Sequence, residues 1–288
     1  MALLDFLKRR GGSKGDAEMS FIDHLEALRG HIIRCAIAII VLAIVVFIYI
    51  DPIFDYIILG PIRKDFFSYV YLTRFSHFIH MGDALSIEPV NITMQTTTYS
   101  GQFISSITIA MTGGLIIAFP YVLYEIWRFI RPALKEKERK GTTYVIFWIS
   151  FFFFLGALFG YYMLAPYTFS FLANYHIGGT GTLVTKPTLD DYIENLTDIV
   201  LGCGLAFELP VVSSVLTRIG IISPAFLKRV RRYAYVIILV VAAVITPSPD
   251  WISQSIVAAP LITLYEISIG VSKRVVRRRE EKEKEEWS

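Results

Sequence analysis

The stretch Ile199–Thr217, with the sequence IVLGCGLAFELPVVSSVLT, decides the fold class of this chain. It is apolar over 19 residues, and a helix needs roughly 20 apolar residues, each rising about 1.5 Å, to cross a hydrocarbon core. Glu208 lies near its middle, where a carboxylate costs about 2.5–3.5 kcal/mol on insertion scales. Pro210 cannot donate its amide, so we expect a kink beside the carboxylate. The pattern predicts a transmembrane helix with a functional acid; the alternative is a glutamate that only packs, protonated or bonded to backbone.

The rest of the chain repeats this apolar pattern. Of its 288 residues, 54% are hydrophobic and only 18% are charged, which is typical of an integral membrane protein. The sequence predicts an all-α polytopic membrane protein with six transmembrane helices. Only Asp250 and a proline-rich turn separate the last two apolar stretches, so we expect the fifth and sixth helices to be short and to form a hairpin. The five further stretches are Ile32–Ile50, Phe103–Tyr124, Thr143–Leu164, Tyr233–Pro249 and Trp251–Ser272.

Lysine and arginine determine the predicted orientation. Of the 28 such residues, 24 lie in or beside alternate polar segments, which the positive-inside rule places in the cytoplasm together with both termini. The predicted organisation is a mobile cytoplasmic arm at 1–19, a membrane domain at 20–272 and a charged cytoplasmic tail at 273–288. Within the membrane domain we expect an external cap loop at 51–102, a cytoplasmic loop at 125–142 and a second external loop at 165–192.

The sequence shows no pattern typical of a disulfide framework, a metal site or a nucleotide site. Cys35 and Cys203 both lie in apolar stretches and indicate small buried side chains rather than a disulfide framework or a metal site. No glycine-rich phosphate loop is present, which argues against a nucleotide site. We therefore expect no cofactor, no metal, no nucleic-acid partner and no catalytic residue, so the chain is not predicted to be an enzyme.

Acidic residues beside the membrane are the candidate recognition groups. His24–Arg29 belongs to an amphipathic helix, and the first cytoplasmic loop carries Glu138 among lysines. A carboxylate binds a guanidinium through two hydrogen bonds, so two nearby carboxylates can hold two adjacent arginines. The plainer alternative is a solvated charged face. Glu266, in the last apolar stretch, is expected to snorkel or to pair with a basic neighbour.

The order of these motifs resembles that of the TatC family, the polytopic receptor subunits of the twin-arginine protein translocase. The resemblance covers about residues 20–272. It is carried by six motifs: His24–Arg29, Gly60-Pro61, Phe119–Trp127, Phe129–Arg139, Phe207–Pro210 and Thr246–Gln254. It implies a concave, glove-like bundle in the bacterial cytoplasmic (inner) membrane. Such a protein would recognise Arg-Arg signal peptides of folded cargo, self-associate, act with single-span partners like TatA and TatB, and use the proton-motive force.

The resemblance also implies roles for single residues. Glu138 would contact the twin arginines of a signal peptide, and Arg139 would position the loop that carries it. Glu208 would face the concave cavity and receive a polar residue of a partner. Asp250 and Gln254 would belong to the short hairpin near which the single-span partners dock.

The amino-terminal segment departs from the family pattern. The family has Glu immediately before Leu-Arg, where this chain has Ala27 with Glu26 one position earlier. A shift of one residue turns a helical side chain by about 100°. We expect Glu26 and Arg29 to belong to the signal-binding site. Glu125, which replaces the family's common Gln, is expected to supply the missing negative charge.

Two other functions fit parts of the pattern. A proton-coupled secondary transporter would use Glu208 and Glu266 as a relay, but carriers often have paired halves, and the two three-span halves here are dissimilar. An intramembrane enzyme would need a nucleophile with a base, or a metal set, at membrane depth, and none is visible. The GxxxG spacing of Gly156 and Gly160 predicts close helix packing and nothing more.

Overall fold

The computed structural model describes residues 21–63, 65–69, 93–130, 142–175, 186–218, 220–246 and 251–287. Within these ranges the regular structure is helical, with one isolated bridge between Gln95 and Thr188. The α-helices are α1 (Phe21–Ile48), α2 (Ile50–Ile53), α3 (Gly101–Ile130), α4 (Thr142–Phe159), α5 (Ala165–Asn174), α6 (Leu189–Ala206), α7 (Leu209–Arg218), α8 (Pro224–Ile245) and α9 (Trp251–Trp287). Phe54–Ile58 and Gly160–Leu164 are π-helical, and Gly60–Ile62 is a 3₁₀ turn.

Some of the predicted features lie outside the described residues. They include Glu138, Arg139 and Asp250, the arm at 1–19, and parts of the loops predicted at 51–102, 125–142 and 165–192.

In the part of the chain that the structure describes, five helical stretches are long and apolar enough to cross a membrane. They are Glu26–Ile48, Gly101–Ile130, Ile146–Asn174, Leu189–Thr217 and Gln254–Arg278. The predicted fifth span, α8, is not among them, because Lys228, Arg229, Arg231 and Arg232 occupy its first turns. Its apolar part begins only at Tyr233 and is shorter than the roughly 20 residues that a hydrocarbon core requires. The count of six spans stays a prediction.

The last helix is longer than predicted. We expected a short sixth helix ending at Ser272, whereas α9 contains 37 residues and continues to Trp287. The apolar pattern ends where lysine, arginine and glutamate begin, but these residues are good helix formers. Arg277 also donates a hydrogen bond to Glu281, one turn later, at 2.8 Å, which supports an exposed helix. The alternating basic and acidic residues from Lys273 predict a solvated helix extension, and α9 continues through them as predicted. The sixth helix as a whole is nevertheless not short.

Two other helices extend into predicted loops. α3 continues through Glu125 to Ile130, inside the segment predicted as a cytoplasmic loop at 125–142. α5 occupies the first part of the predicted external loop at 165–192. In α3 the polar residues Glu125 and Arg128 interrupt the apolar pattern without ending the helix. α5 continues the apolar stretch that ends at Asn174, so the predicted span ended too early there as well.

The core is built around α6. Ile193, Leu196, Ile199 and Cys203 lie on one face and are at most 5% exposed. α4 crosses this face closely: a Cβ on Gly156 would lie 2.4 Å from the carbonyl oxygen of Cys203. A Cβ on Gly160 would lie 2.8 Å from the carbonyl oxygen of Ile199. The close packing that the GxxxG spacing predicts is confirmed.

The first helix packs mainly along α3 in the opposite direction. A Cβ on Gly114 would lie 2.6 Å from the backbone nitrogen of Ala43, so the two helices meet without side chains between them. The remaining surface of α1 is apolar and exposed, including Ile37, Val41 and Ile44. In a membrane this surface would face lipid or another helix.

Tyrosines close the end of the bundle where α1 finishes. Tyr161 and Tyr192 donate to the carbonyls of Ile57 and Ile58 in the π-helical segment, each at 2.6 Å. Tyr69 donates to the carbonyl of Pro61 at 2.7 Å. Burial raises the pKa of Tyr69 to about 12, so its phenol remains a donor at any physiological pH.

Candidate functional site

The start of α1 presents two of the predicted site residues to solvent. Glu26 and Arg29 are exposed, whereas Ala27 between them is half-buried. Glu26 and Arg29 are three residues apart and therefore share one side of the helix. Neither makes an ion pair with any other residue that the structure describes. The start of α1 thus offers an exposed carboxylate.

Glu125, in contrast to the exposed Glu26, is buried between α1 and α3, with 1% of its surface exposed. Its Oε2 atom accepts from Arg34 Nε at 3.0 Å and lies 2.5 Å from His31 Nδ1. Its Oε1 atom accepts from the hydroxyl of Tyr121 at 3.1 Å. Arg128 Nη1 is 4.0 Å from the same oxygen. The carboxylate is surrounded by donors, as a buried charge requires.

One ring nitrogen of His31 contacts both charged partners. Its Nδ1 atom lies 2.5 Å from Oε2 of Glu125. Nη2 of Arg34 lies 2.9 Å from the same ring nitrogen. We call these three residues, together with Tyr121, the Glu125 cluster.

Glu208 lies at a break in the fourth apolar helix. α6 ends at Ala206 and α7 begins at Leu209, so Phe207 and Glu208 form the turn between them. The kink that Pro210 predicts is confirmed. Only 7% of Glu208 is exposed. The backbone of Phe153 lies close enough to interact with the carboxyl group, but neither carboxylate oxygen forms a hydrogen bond of good geometry with a described residue. An acceptor pair left without donors at this depth is costly, which makes Glu208 a candidate docking point for a donor from outside the chain.

The remaining polar residues connect α8 with α9. Nε2 of Gln254 donates to the carbonyl of Leu239 at 3.1 Å. Glu266 accepts from Arg231 at 2.8 Å and from the hydroxyl of Tyr235 at 2.5 Å. The expectation that Glu266 pairs with a basic neighbour is confirmed, and the two helices form the predicted hairpin.

Comparison with known proteins decides the family. A family model described as Sec-independent protein translocase protein (TatC) matches residues 23–260. This chain belongs to the TatC family. A curated TatC of Blattabacterium sp. subsp. Periplaneta americana is 36% identical over 260 residues, covering 88% of this chain and 95% of the relative. The TatC of Halalkalibacterium halodurans is 34% identical over 273 residues, covering 93% and 95%.

Solved structures agree with the sequence comparison. A crystal structure of the twin arginine translocase receptor TatC matches with a TM-score of 0.66 and 32% identity, covering 88% of this chain and 99% of the other. TatC proteins are receptor components of a translocase and not catalytic enzymes, so this chain is not an enzyme. It is a multi-pass membrane protein of the Tat system and acts in protein transport with other Tat subunits.

The sequence analysis missed His31 and Arg34. They lie 94 and 91 residues from Glu125 in the chain, and nothing in a hydropathy pattern connects residues so far apart. One signal was available: a histidine and an arginine three residues apart at the start of an apolar helix share one face and need a buried or interfacial acid. The TatC member therefore contains two acids of different kinds at this end, an exposed Glu26 and an enclosed Glu125.

Proposed function

We propose that this chain is the receptor and core subunit of a twin-arginine translocase. It binds Arg-Arg signal peptides of folded cargo at the cytoplasmic face and, with single-span partners, exports the cargo using the proton-motive force. The observation that carries the proposal is the match to a solved twin arginine translocase receptor over 88% of the chain at 32% identity. The exposed acid at the start of α1 supports it, because a carboxylate is the natural partner of a guanidinium.

The proposed signal site lies where α1 begins and α3 ends. Because Glu125 near the end of α3 contacts His31 on α1, the end of α3 and the start of α1, which carries the exposed Glu26, lie at the same end of the bundle. Glu138 and Arg139 follow the end of α3 in the sequence. We propose that Glu138 and Glu26 bind the two signal arginines, that Arg29 and Arg139 orient these acids, and that Glu125 belongs to the same region.

The proposed partner site is the kink at Glu208. Its two unpartnered carboxylate oxygens suit a hydroxyl, amide or protonated side chain on a single-span helix of TatA or TatB type. Asp250 and Gln254 belong to this partner region in the proposal. Self-association of the receptor would bring several such sites together.

The proposed orientation follows the charge distribution. The basic ends of α8 and α9 would lie in the cytoplasm together with the start of α1. With α8 as a sixth, short span, both termini are cytoplasmic and the protein lies in a bacterial inner membrane. The structural matches to TatC support this arrangement.

A proton-coupled transporter remains the alternative function, and one observation bears on it. A relay would use both Glu208 and Glu266, but Glu266 is ion-paired with Arg231 at 2.8 Å. Because Glu266 is held by Arg231, it is not a free second carboxylate for a relay with Glu208. We therefore favour the translocase over the transporter.

Binding measurements on the purified full chain test the proposal. We expect Glu138→Ala and Glu26→Gln each to weaken binding of an Arg-Arg signal peptide by about tenfold or more, since losing a charge-assisted hydrogen bond costs about 1.5–3 kcal/mol. Glu281→Gln, on the exposed end of α9, removes the same charge elsewhere and serves as the control. Full retained binding by both site variants would contradict the proposed site.

A further inference from the structure

Glu125 is placed differently from Glu26, the other acid of the proposed signal site that the structure describes. Its carboxylate is 1% exposed and bound by His31, Arg34 and Tyr121. A signal-peptide guanidinium would have to displace one of these donors to reach it. The Glu125 cluster is a completed arrangement of charges, unlike the open carboxylate of Glu26.

The cluster fastens α1 to α3 at two points of α1. His31 and Arg34 are one turn apart and both contact the same oxygen, Oε2 of Glu125. Two contacts one turn apart fix the rotation of a helix about its axis as well as its distance from the neighbouring helix. Glu26 lies five residues before His31 on the same helix. The direction of its side chain is therefore set by the cluster.

The cluster also determines the charge next to Glu26. Arg29, His31 and Arg34 all lie within about 12 Å of Glu26 along the helix axis, and each can carry a positive charge that repels an arginine-rich ligand. Glu125 cancels one of these charges. At such a separation and a dielectric between those of water and a protein surface, one uncancelled charge changes the binding constant of a cationic ligand by about two- to tenfold.

We propose that Glu125 is a positioning residue for signal recognition: by binding His31 and Arg34 it holds the start of α1 against α3 and removes positive charge from beside Glu26. This inference rests on the proposed function, because it assigns Glu125 a role in the same recognition site. The ligand class is a peptide with adjacent guanidinium groups. The acid that contacts it is Glu26, and Glu125 acts through α1.

The test compares Glu125→Gln, Arg34→Gln and the double variant in the full-length protein in nanodiscs. We measure the Kd for Arg-Arg and Lys-Lys signal peptides at about 0.1 and 1 M salt, together with the thermal midpoint. Gln has nearly the same size as Glu and can still accept hydrogen bonds from Arg34 and Tyr121, so the variant is expected to fold. Glu266→Gln is the matched control, because it removes a carboxylate held by an arginine and a tyrosine at another place.

We expect Glu125→Gln to raise the Kd for the Arg-Arg peptide by about three- to tenfold at low salt and by less than about twofold at 1 M salt, where the Debye length falls to about 3 Å. Removing Arg34 as well should restore the Kd to within about twofold of the unmodified protein, since the uncancelled charge is then gone. Arg34→Gln alone should weaken binding by less than about twofold. The control variant should bind normally.

Two results would overturn this inference while leaving the proposed function intact. If Glu125→Gln binds as well as the unmodified protein, the cluster has no role in recognition. If the double variant keeps the whole loss of the single one, the uncancelled charge of Arg34 does not cause that loss, and Glu125 does not act by cancelling it. Failure of the unmodified protein to prefer Arg-Arg over Lys-Lys would refute the proposed function, and this inference with it. A loss of binding that accompanies a lower thermal midpoint and does not change with salt would show that Glu125 has only a structural role.

Discussion

At the scale of single residues, the two buried acids show what a sequence reveals and what it conceals. Glu208 could be found because it interrupts an apolar stretch, and Pro210 beside it predicted the break that separates α6 from α7. Glu125 was predicted to offer a free charge in a loop. It lies instead in a helix, with partners on α1 that only the packing of the two helices brings together. The local sequence pattern shows where a charged residue lies in an apolar helix, but it does not show which distant residues contact it.

Replacing the unpartnered acid should separate transport from recognition. Because neither oxygen of Glu208 has a partner within the described chain, Glu208→Gln should leave the fold intact and even lower the cost of burial. We expect export of a folded cargo by membrane vesicles to fall by about five- to tenfold, the equivalent of one lost interhelical hydrogen bond. Binding of the signal peptide should be unchanged; an equal loss of both activities would give Glu208 a folding role.

At the scale of helices, hydropathy predicted where the spans lie better than where they end. The cores of the apolar stretches coincide with helices, but α3, α5 and α9 lie partly or wholly beyond the predicted ends of those stretches. Backbone hydrogen bonding needs no apolar side chains, so charged helix formers extend a helix beyond the membrane. The GxxxG spacing in α4 was a better guide, because close packing needs small residues at the crossing point.

The crossing of α4 and α6 gives a stability prediction with a matched control. Gly156→Ala would place a Cβ 2.4 Å from a carbonyl oxygen, whereas nothing lies within 4 Å of a Cβ on Gly270 of α9. We expect Gly156→Ala to destabilise the protein by about 1–3 kcal/mol through overpacking. Gly270→Ala should be neutral or stabilising by up to about 1 kcal/mol, since alanine favours helix. Thermal unfolding in one detergent compares them; equal midpoints would contradict the tight crossing.

At the scale of the whole molecule, the charge distribution predicted the orientation in the membrane, and the order of the motifs predicted the family. The motif order gave the family, which the match over residues 23–260 establishes. Composition alone does not determine the number of spans, because α8 combines four basic residues with an apolar part too short to cross a bilayer unaided. A short span of this kind needs neighbouring helices or a thinned bilayer.

Cysteine labelling tests the proposed topology. With Cys35 and Cys203 replaced, single cysteines are introduced at Tyr99, which precedes α3, and at Glu281 near the end of α9; both positions are exposed. A membrane-impermeant maleimide added outside the cell should label position 99 at once and position 281 only after permeabilisation. Labelling of both positions from outside would refute the arrangement with cytoplasmic termini.

The most direct test of the account is photo-crosslinking from residues 26 and 138 to signal peptides that carry Arg-Arg or Lys-Lys. The account predicts crosslinks from both positions to the Arg-Arg peptide, their loss with Lys-Lys, and none from position 281. Equal crosslinking to both peptides, or none from positions 26 and 138 while cargo is still exported, would contradict the claim that these acids read the twin arginines.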